Sequence, residues 1–282
     1  PDLVVQADFK DLTVLGEPQL AIDSFSFDAA WTTRGEASEV WIDNATVISG
    51  ADILEVPRTQ LTGSGLSWQV LTEKWNISDA VNVLTGSGLL PGKANTILET
   101  LNPRGSIDSL RLSVDSWRAP LSAWNASMAV TDATTDPYNK VPGLAGIDAS
   151  ITADDAGAIA WINTRNFDLL LPKVYEAPIH LDSAVGRLAG RWQRGALYLE
   201  EGLFLAEASD HNCMIEFEID IPLSKPAVTT LQMRLAVALE NAPISARHPY
   251  MPYRMPAEAY AWLNSALPQG EIEQAIFLWR GG

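Results

Sequence analysis

The chain has 282 residues, long enough to bury a sizeable core as one large domain or two. Nineteen Lys and Arg stand against 35 Asp and Glu, and the net charge of -16 argues against nucleic acid or an anionic membrane surface as partner, since both need clustered cations. The single cysteine, Cys213, excludes an internal disulfide, and no run approaches the roughly 20 apolar residues that span a bilayer.

The chain opens on Pro1 with neither an initiator Met nor a signal peptide, so it is expected to be a piece of a longer protein. Residues 1–90 read as strands by alternation alone. The hexapeptide LTGSGL occurs twice, at Leu61–Leu66 and Leu84–Leu89, and both copies are expected to be Gly-rich strand edges or turns. Neither has the G-x-S-x-G order of a nucleophile elbow. Asn44, Asn76 and Asn125 begin tripeptides of the glycosylation-acceptor type, a pattern too common to imply a secreted eukaryotic protein.

A longer unit also repeats. Pro91–Ile107 and Pro256–Ile272 align without gaps and share Pro91/Pro256, Ala94/Ala259, Leu98/Leu263, Pro103/Pro268, Gly105/Gly270 and Ile107/Ile272. Proline suits a first helical turn. Apolar residues then fall on one helical stripe: Ala94, Ile97, Leu98 and Leu101, and again Ala259, Trp262, Leu263 and Ala266. Pro103 and Pro268 stop the helix, and Gly105 and Gly270 permit a tight reversal into a strand. Each helix is expected to cap a sheet.

Elsewhere the pattern has period two. Leu110, Leu112 and Val114 alternate with Arg111, Ser113 and Asp115. Leu197, Leu199, Leu203 and Leu205 alternate around Glu200 and Gly202. Ile215, Phe217, Ile219, Ile221 and Leu223 oppose Glu216, Glu218 and Asp220. Leu231, Met233, Leu235, Val237 and Leu239 oppose Gln232 and Arg234. Each strand so read has one dry and one wet face, as in antiparallel meanders. Pro142-Gly143, Asp155–Gly157, Arg194-Gly195 and Lys225-Pro226 mark turns. The expected fold is mainly β, with two short helices. Its dry face needs a cover: a second sheet, or a curl into a groove filled by something apolar.

Candidate chemistry is sparse. His180, His211 and His248 are scattered; His211 and Cys213 share a strand face, but no further zinc ligand has suitable spacing. Cys213 reads as a small buried residue. The stripe Glu216, Glu218 and Asp220 reads as a solvated face. No P-loop, G-x-G-x-x-G or H-E-x-x-H is present, so no enzyme, metal or cofactor is expected. Ten tryptophans, among them Trp31, Trp41, Trp117, Trp124, Trp161, Trp192 and Trp279, are expected to pack on sheet faces.

Several stretches, in order, carry a family resemblance. Leu98–Leu112, LETLNPRGSIDSLRL, resembles the helix, L-x-P-x-G, strand signature of the AsmA-like proteins of the YhdP branch. Pro142–Trp161, PGLAGIDASITADDAGAIAW, resembles that branch's hairpin. Phe167–Pro172, FDLLLP, and Leu188–Trp192, LAGRW, follow in order, and Met255–Gly281 resembles its short helix before a strand. The match runs over residues 90 to 282. The resemblance implies a Gram-negative envelope protein anchored in the inner membrane outside this chain. It implies a periplasmic body built as a repeating β-groove that moves phospholipid between the two membranes, with acyl chains as the groove's occupant and no catalytic residues.

The expected groove residues are the alternating apolar ones named above, Leu110 to Val114, Leu197 to Leu205, Ile215 to Ile221 and Leu231 to Leu239. The expected organisation is a β-groove segment at 1–90, a central module at 91–269 and the first strand of a following module at 270–282. The alternative architecture is a β-sandwich that binds protein or glycan.

Overall fold

Period-two alternation becomes strand almost wherever it occurs. The computed structural model of the chain describes residues 2–14, 20–49, 52–86, 92–116, 123–138, 142–193, 196–222 and 232–281. Strands β1 (Leu3–Val14), β2 (Leu20–Arg34), β3 (Ala37–Ser49), β4 (Asp52–Val56), β5 (Thr59–Ser64), β6 (Ser67–Thr72) and β7 (Trp75–Asn76) lead into helices α1 (Ile77–Gly86) and α2 (Gly92–Leu101). Then come β8 (Arg104–Val114), β9 (Trp124–Thr135), β10 (Gly143–Asp154), β11 (Gly157–Leu170), β12 (Ile179–Gln193), β13 (Ala196–Ala208), β14 (His211–Pro222) and β15 (Gln232–Pro243). A 3-10 helix (Ile244–Tyr250), α3 (Ala257–Ala266) and β16 (Glu271–Gly281) complete the order.

All sixteen strands belong to one sheet, laid down almost in sequence order, with β4 and β7 as short side branches. The pairings between β1 and β8 and between β11 and β16 are antiparallel. The two-sheet sandwich is therefore not the architecture formed. Two compact units divide the chain, residues 1–131 with 150–156, and residues 132–149 with 157–282.

In the first unit, Leu112, Val70, Leu61, Val40, Trp31 and Leu3 stand opposite one another in register from β8 to β1, and so share one face. Phe9, Phe25 and Phe27 cluster on it, with ring centroids 5.0–6.4 Å apart. In the second unit a buried cluster of Phe167, Ile179, Leu181, Ala184, Ala206 and Cys213 forms the core.

Both repeat copies fold alike. Helices α2 and α3 have ten residues each, and Gly105 (φ 115°) and Gly270 (φ 144°) take the positive φ that lets the chain reverse. Both copies also sit in the same kind of place. β6 pairs directly with β8 across the α1–α2 insertion, and β15 with β16 across the 3-10 helix and α3. Pro256 is the N-cap of α3 rather than its first helical residue, whereas Pro91 lies outside the described residues. The capping expectation fails for α3: none of its residues is buried, and Trp262 is 64% exposed.

Helix α1 was not expected at all. Its signal is Asn76, whose Oδ1 accepts the Ser78 N–H at 2.9 Å as an N-cap side chain does. The two LTGSGL copies consequently differ. The first forms the β5–β6 turn, with Gly65 at φ 62°; the second begins in the last turn of α1, and its Ser87–Leu89 lies outside the described residues.

Candidate functional site

The registers of β11 to β16 stack apolar residues into rows that cross six strands. One row reads Ala160, Leu188, Gly202, Phe217, Leu235, Trp279; the next reads Ile162, Gly186, Phe204, Ile215, Val237, Phe277. On either side lie Ala158, Gly190, Leu199, Ile219, Met233, Gly281 and Thr164, Ala184, Ala206, Cys213, Leu239, Ala275. Directly opposed residues of an antiparallel pair point to the same side. These four rows contain no charged residue. Their one polar side chain, Thr164, donates to the Gly146 carbonyl at 2.6 Å.

Glycines on this face are overlain by large neighbours. The Phe204 ring lies over Gly186 and the Phe217 ring over Gly202, so that an added Cβ would come within 2.4 and 2.8 Å of them. The two rings stack, with centroids 5.7 Å apart. In the first unit Trp68 lies over Gly63 in the same way.

The rows differ from simple alternation at one place. Leu199 pairs with Ile219, but the next pair on that side is Gly202 with Phe217, so β13 carries one extra residue there. Regular alternation would aim Glu201 into the apolar rows. The bulge avoids this and leaves both glutamates on the other side, Glu200 paired with Arg191 and Glu201 with Arg187. Its consequence is a correction: Leu203 and Leu205 lie opposite Arg187 and Val185, on the face away from Leu197 and Leu199. Phe204 and Ala206 take their places.

A second device turns the alternation further along. Thr164 pairs with Ala184 and then Phe167 with Leu181; Leu239 pairs with Ala275 and then Ala242 with Ile272. Three-residue steps in both partners keep apolar groups on one side. Asn166 (φ 55°) and Asn241 (φ 53°) supply the left-handed turn, a conformation Asn tolerates. Asp11, Asn44 and Asp132 do the same in β1, β3 and β9.

The face is closed at this creased end. Tyr175 and Tyr250 pack against the buried cluster, and the Tyr253 N–H donates to the Val174 carbonyl at 3.1 Å. The His211 ring is tied at both nitrogens, Nδ1 to Asp210 at 2.7 Å and Nε2 to the Tyr250 hydroxyl at 2.8 Å. Burial pushes the Tyr250 and Tyr175 phenols and the Cys213 thiol up from their ordinary values. Cys213 is thus a packing residue, on the same face as His211, and a poor nucleophile. Away from the crease the face opens at Trp192, Phe277 and Trp279.

The expected groove residues therefore separate as follows. Leu197, Leu199, Ile215, Phe217, Ile219, Ile221, Met233, Leu235, Val237 and Leu239 share one face of the second unit. Leu110, Leu112 and Val114 share the apolar face of the first unit, opposite Thr72, Val70 and Trp68. Leu203 and Leu205 are on the reverse face. Leu223 and Leu231 lie outside the described residues, as do Trp117 and the turns at Arg194-Gly195 and Lys225-Pro226. Glu216, Glu218 and Asp220 stand on the reverse face as expected, with Glu218 bonded to Arg234 at 2.9 Å. Sequence reading missed Phe204, Ile162, Leu188 and Phe277.

Fold and face together define a one-sided antiparallel β-sheet protein, with apolar side chains on one wall and charges on the other. The family model described as YhdP protein matches residues 2–282, and the chain belongs to that family, a branch of the AsmA-like proteins. No curated protein and no solved structure matches the chain. Among the described residues, no helix is long and apolar enough to cross a membrane.

Proposed function

We propose that this chain is a periplasmic segment of a protein that carries phospholipid between the inner and outer membranes of a Gram-negative envelope, with acyl chains lying along the apolar rows. The observation that carries this reading is the absence of charge from four successive rows across six strands. Family membership supports it. The energetics support it as well. Two acyl chains of about sixteen carbons, at about 0.8 kcal/mol per CH₂, cost on the order of 25 kcal/mol to expose to water. A dry wall lowers that barrier without nucleotide hydrolysis. Aliphatic and aromatic walls hold any acyl chain and fix none, which suits a guest that has to leave again.

The parent protein would be anchored in the inner membrane by a segment other than this chain. The test places a photo-crosslinking residue at Phe217 or Leu235 in the full-length parent. Capture of phospholipid there, and its loss when a charge is set at the neighbouring position, is the expected result. A functioning parent that captures no lipid on this face overturns the reading. Native mass spectrometry of the 282-residue chain is the companion measurement, with co-purified phospholipid expected.

A further inference from the structure

The apolar face of the second unit changes character towards the crease. The three rows that hold Leu199, Leu235 and Val237 are half-buried or exposed throughout, apart from Gly202 and Ile219. In the fourth row Thr164, Ala184, Ala206 and Cys213 are all buried, between 1% and 8% exposed. Past the crease Phe167, Leu181, His211 and Ala242 continue the same side as a fifth row, and all four are buried. Open rows and sealed rows thus lie on one continuous face.

A roof of two segments seals them. The β11–β12 connection supplies Tyr175 and the 3-10 helix supplies Tyr250, and both rings pack on the cluster of Phe167, Leu181 and Cys213. The segments hold each other through the Tyr253 N–H and the Val174 carbonyl. The 3-10 helix is tied down at its start, where the Ile244 N–H donates to the Gly270 carbonyl at 2.9 Å, and Arg247 donates to Asn264 Oδ1 at 3.0 Å. At its end the Tyr250 hydroxyl meets buried His211, which Asp210 holds from the other side. An acyl chain entering the fourth row has to lift Tyr250. That leaves the hydroxyl and the imidazole without partners in an apolar surround. It brings no compensating gain, because the chain only replaces apolar contacts that the two rings already make.

We propose that Tyr175 and Tyr250 set one margin of the lipid track, holding acyl chains to the three open rows and off the two sealed ones. This rests on the lipid reading and adds to it the width of the path. Successive rows are two residues apart, so the three open rows span about 14 Å along the strands, whereas all five would span about 30 Å. His211 is a positioning residue in this arrangement: it fixes Tyr250 over the sealed rows and meets no lipid itself.

The test loads the 282-residue chain with a phosphatidylcholine that carries a diazirine on one acyl chain, and maps the photo-adducts by mass spectrometry of peptides. In the unmodified chain, adducts on Cys213 and Leu181 are expected to be at least about tenfold fewer than on Phe217 and Leu235, since insertion needs contact within about 4.5 Å. Tyr175→Ala with Tyr250→Ala is expected to carry the adducts on to Cys213 and Leu181. Cys213, the single cysteine, also reports on the roof without any lipid. Its alkylation by N-ethylmaleimide is expected to be at least about tenfold faster in the double variant, because a buried thiol reacts only through local opening. Circular dichroism checks that the double variant folds; where it does not, Tyr250→Ala alone takes its place, and the map of the unmodified chain is decisive without either. Adducts on Cys213 or Leu181 of the unmodified chain in yields like that of Leu235 overturn the inference while leaving the lipid reading in place. So does a folded variant whose Cys213 is open to the reagent but whose adduct map is unchanged. Adducts on no row overturn the lipid reading itself, and the margin with it.

Discussion

The Phe217 ring lies against the backbone of Gly202, close enough that a Cβ at Gly202 would stand 2.8 Å from it. Phe217 thus lies flat along the face instead of standing up from it, and the wall stays smooth where two strands meet.

Gly202→Val is expected to destabilise the chain by about 1–3 kcal/mol through overpacking. In a Phe217→Ala background the same substitution costs less, because the ring it strikes is gone. Urea unfolding of the four variants of this cycle measures the difference; equal costs in the two backgrounds contradict the contact.

The two faces of β13 predict a split between neighbouring leucines. Leu199→Asp puts a charge into the apolar rows, and phospholipid recovered with the chain should fall several-fold. Leu203→Asp, only four residues on, should leave lipid recovery unchanged, since it points to the other side. Mass spectrometry of both purified variants decides it, and equal losses refute the assignment of faces.

Deleting Glu200 removes the extra residue of the bulge and little else. Its pairing with Arg191 is exposed on both sides and worth at most about 1 kcal/mol. The deletion is expected to fold with only a small drop in melting temperature. Deleting Tyr198 would instead move Leu197 to the wrong face and cost several times more. Thermal melts compare the two.

Tyr250 predicts an alkaline response. Burial raises its phenol, and the nearby Cys213, Asp210 and Tyr175 groups add to the shift. The folded chain therefore holds this proton more tightly than the unfolded chain does. Stability from this group is complete below about pH 10, the ordinary tyrosine value, and declines above it as the unfolded state ionises first. Tyr250→Phe should flatten that decline while losing about 0.5–1.5 kcal/mol at neutral pH with the bond to His211. Urea midpoints at pH 8 and pH 10.5 give both quantities.

Most strands were legible because alternation is a direct image of a one-sided sheet. Met233 to Leu239 and Ile215 to Ile221 needed nothing more. β13 was ambiguous, since leucines hold one phase (Leu203, Leu205) while Phe204 and Ala206 hold the other. The adjacent Glu200 and Glu201 settle it, because two consecutive charges cannot both avoid an apolar face without an extra residue. Asn166 and Asn241 were invisible for a related reason: an Asn within a strand pattern reads as a polar position, and its left-handed backbone appears only once both partners are paired. Trp262 failed in the opposite direction. Its helical spacing is that of a core stripe, yet among the described residues no element packs over α3 closely enough to bury any of its side chains.

The direct pairing of β6 with β8 and of β15 with β16 has a consequence for the wall itself. Each helical excursion leaves the ladder and returns to it one strand later, so the hydrogen-bonded backbone within each unit has no seam at that point. Anything sliding along the rows of β11 to β16 meets the same 4.8 Å step from strand to strand, at the hinge of an insertion as elsewhere. Length and content of the excursions are thereby free to vary while the track stays level.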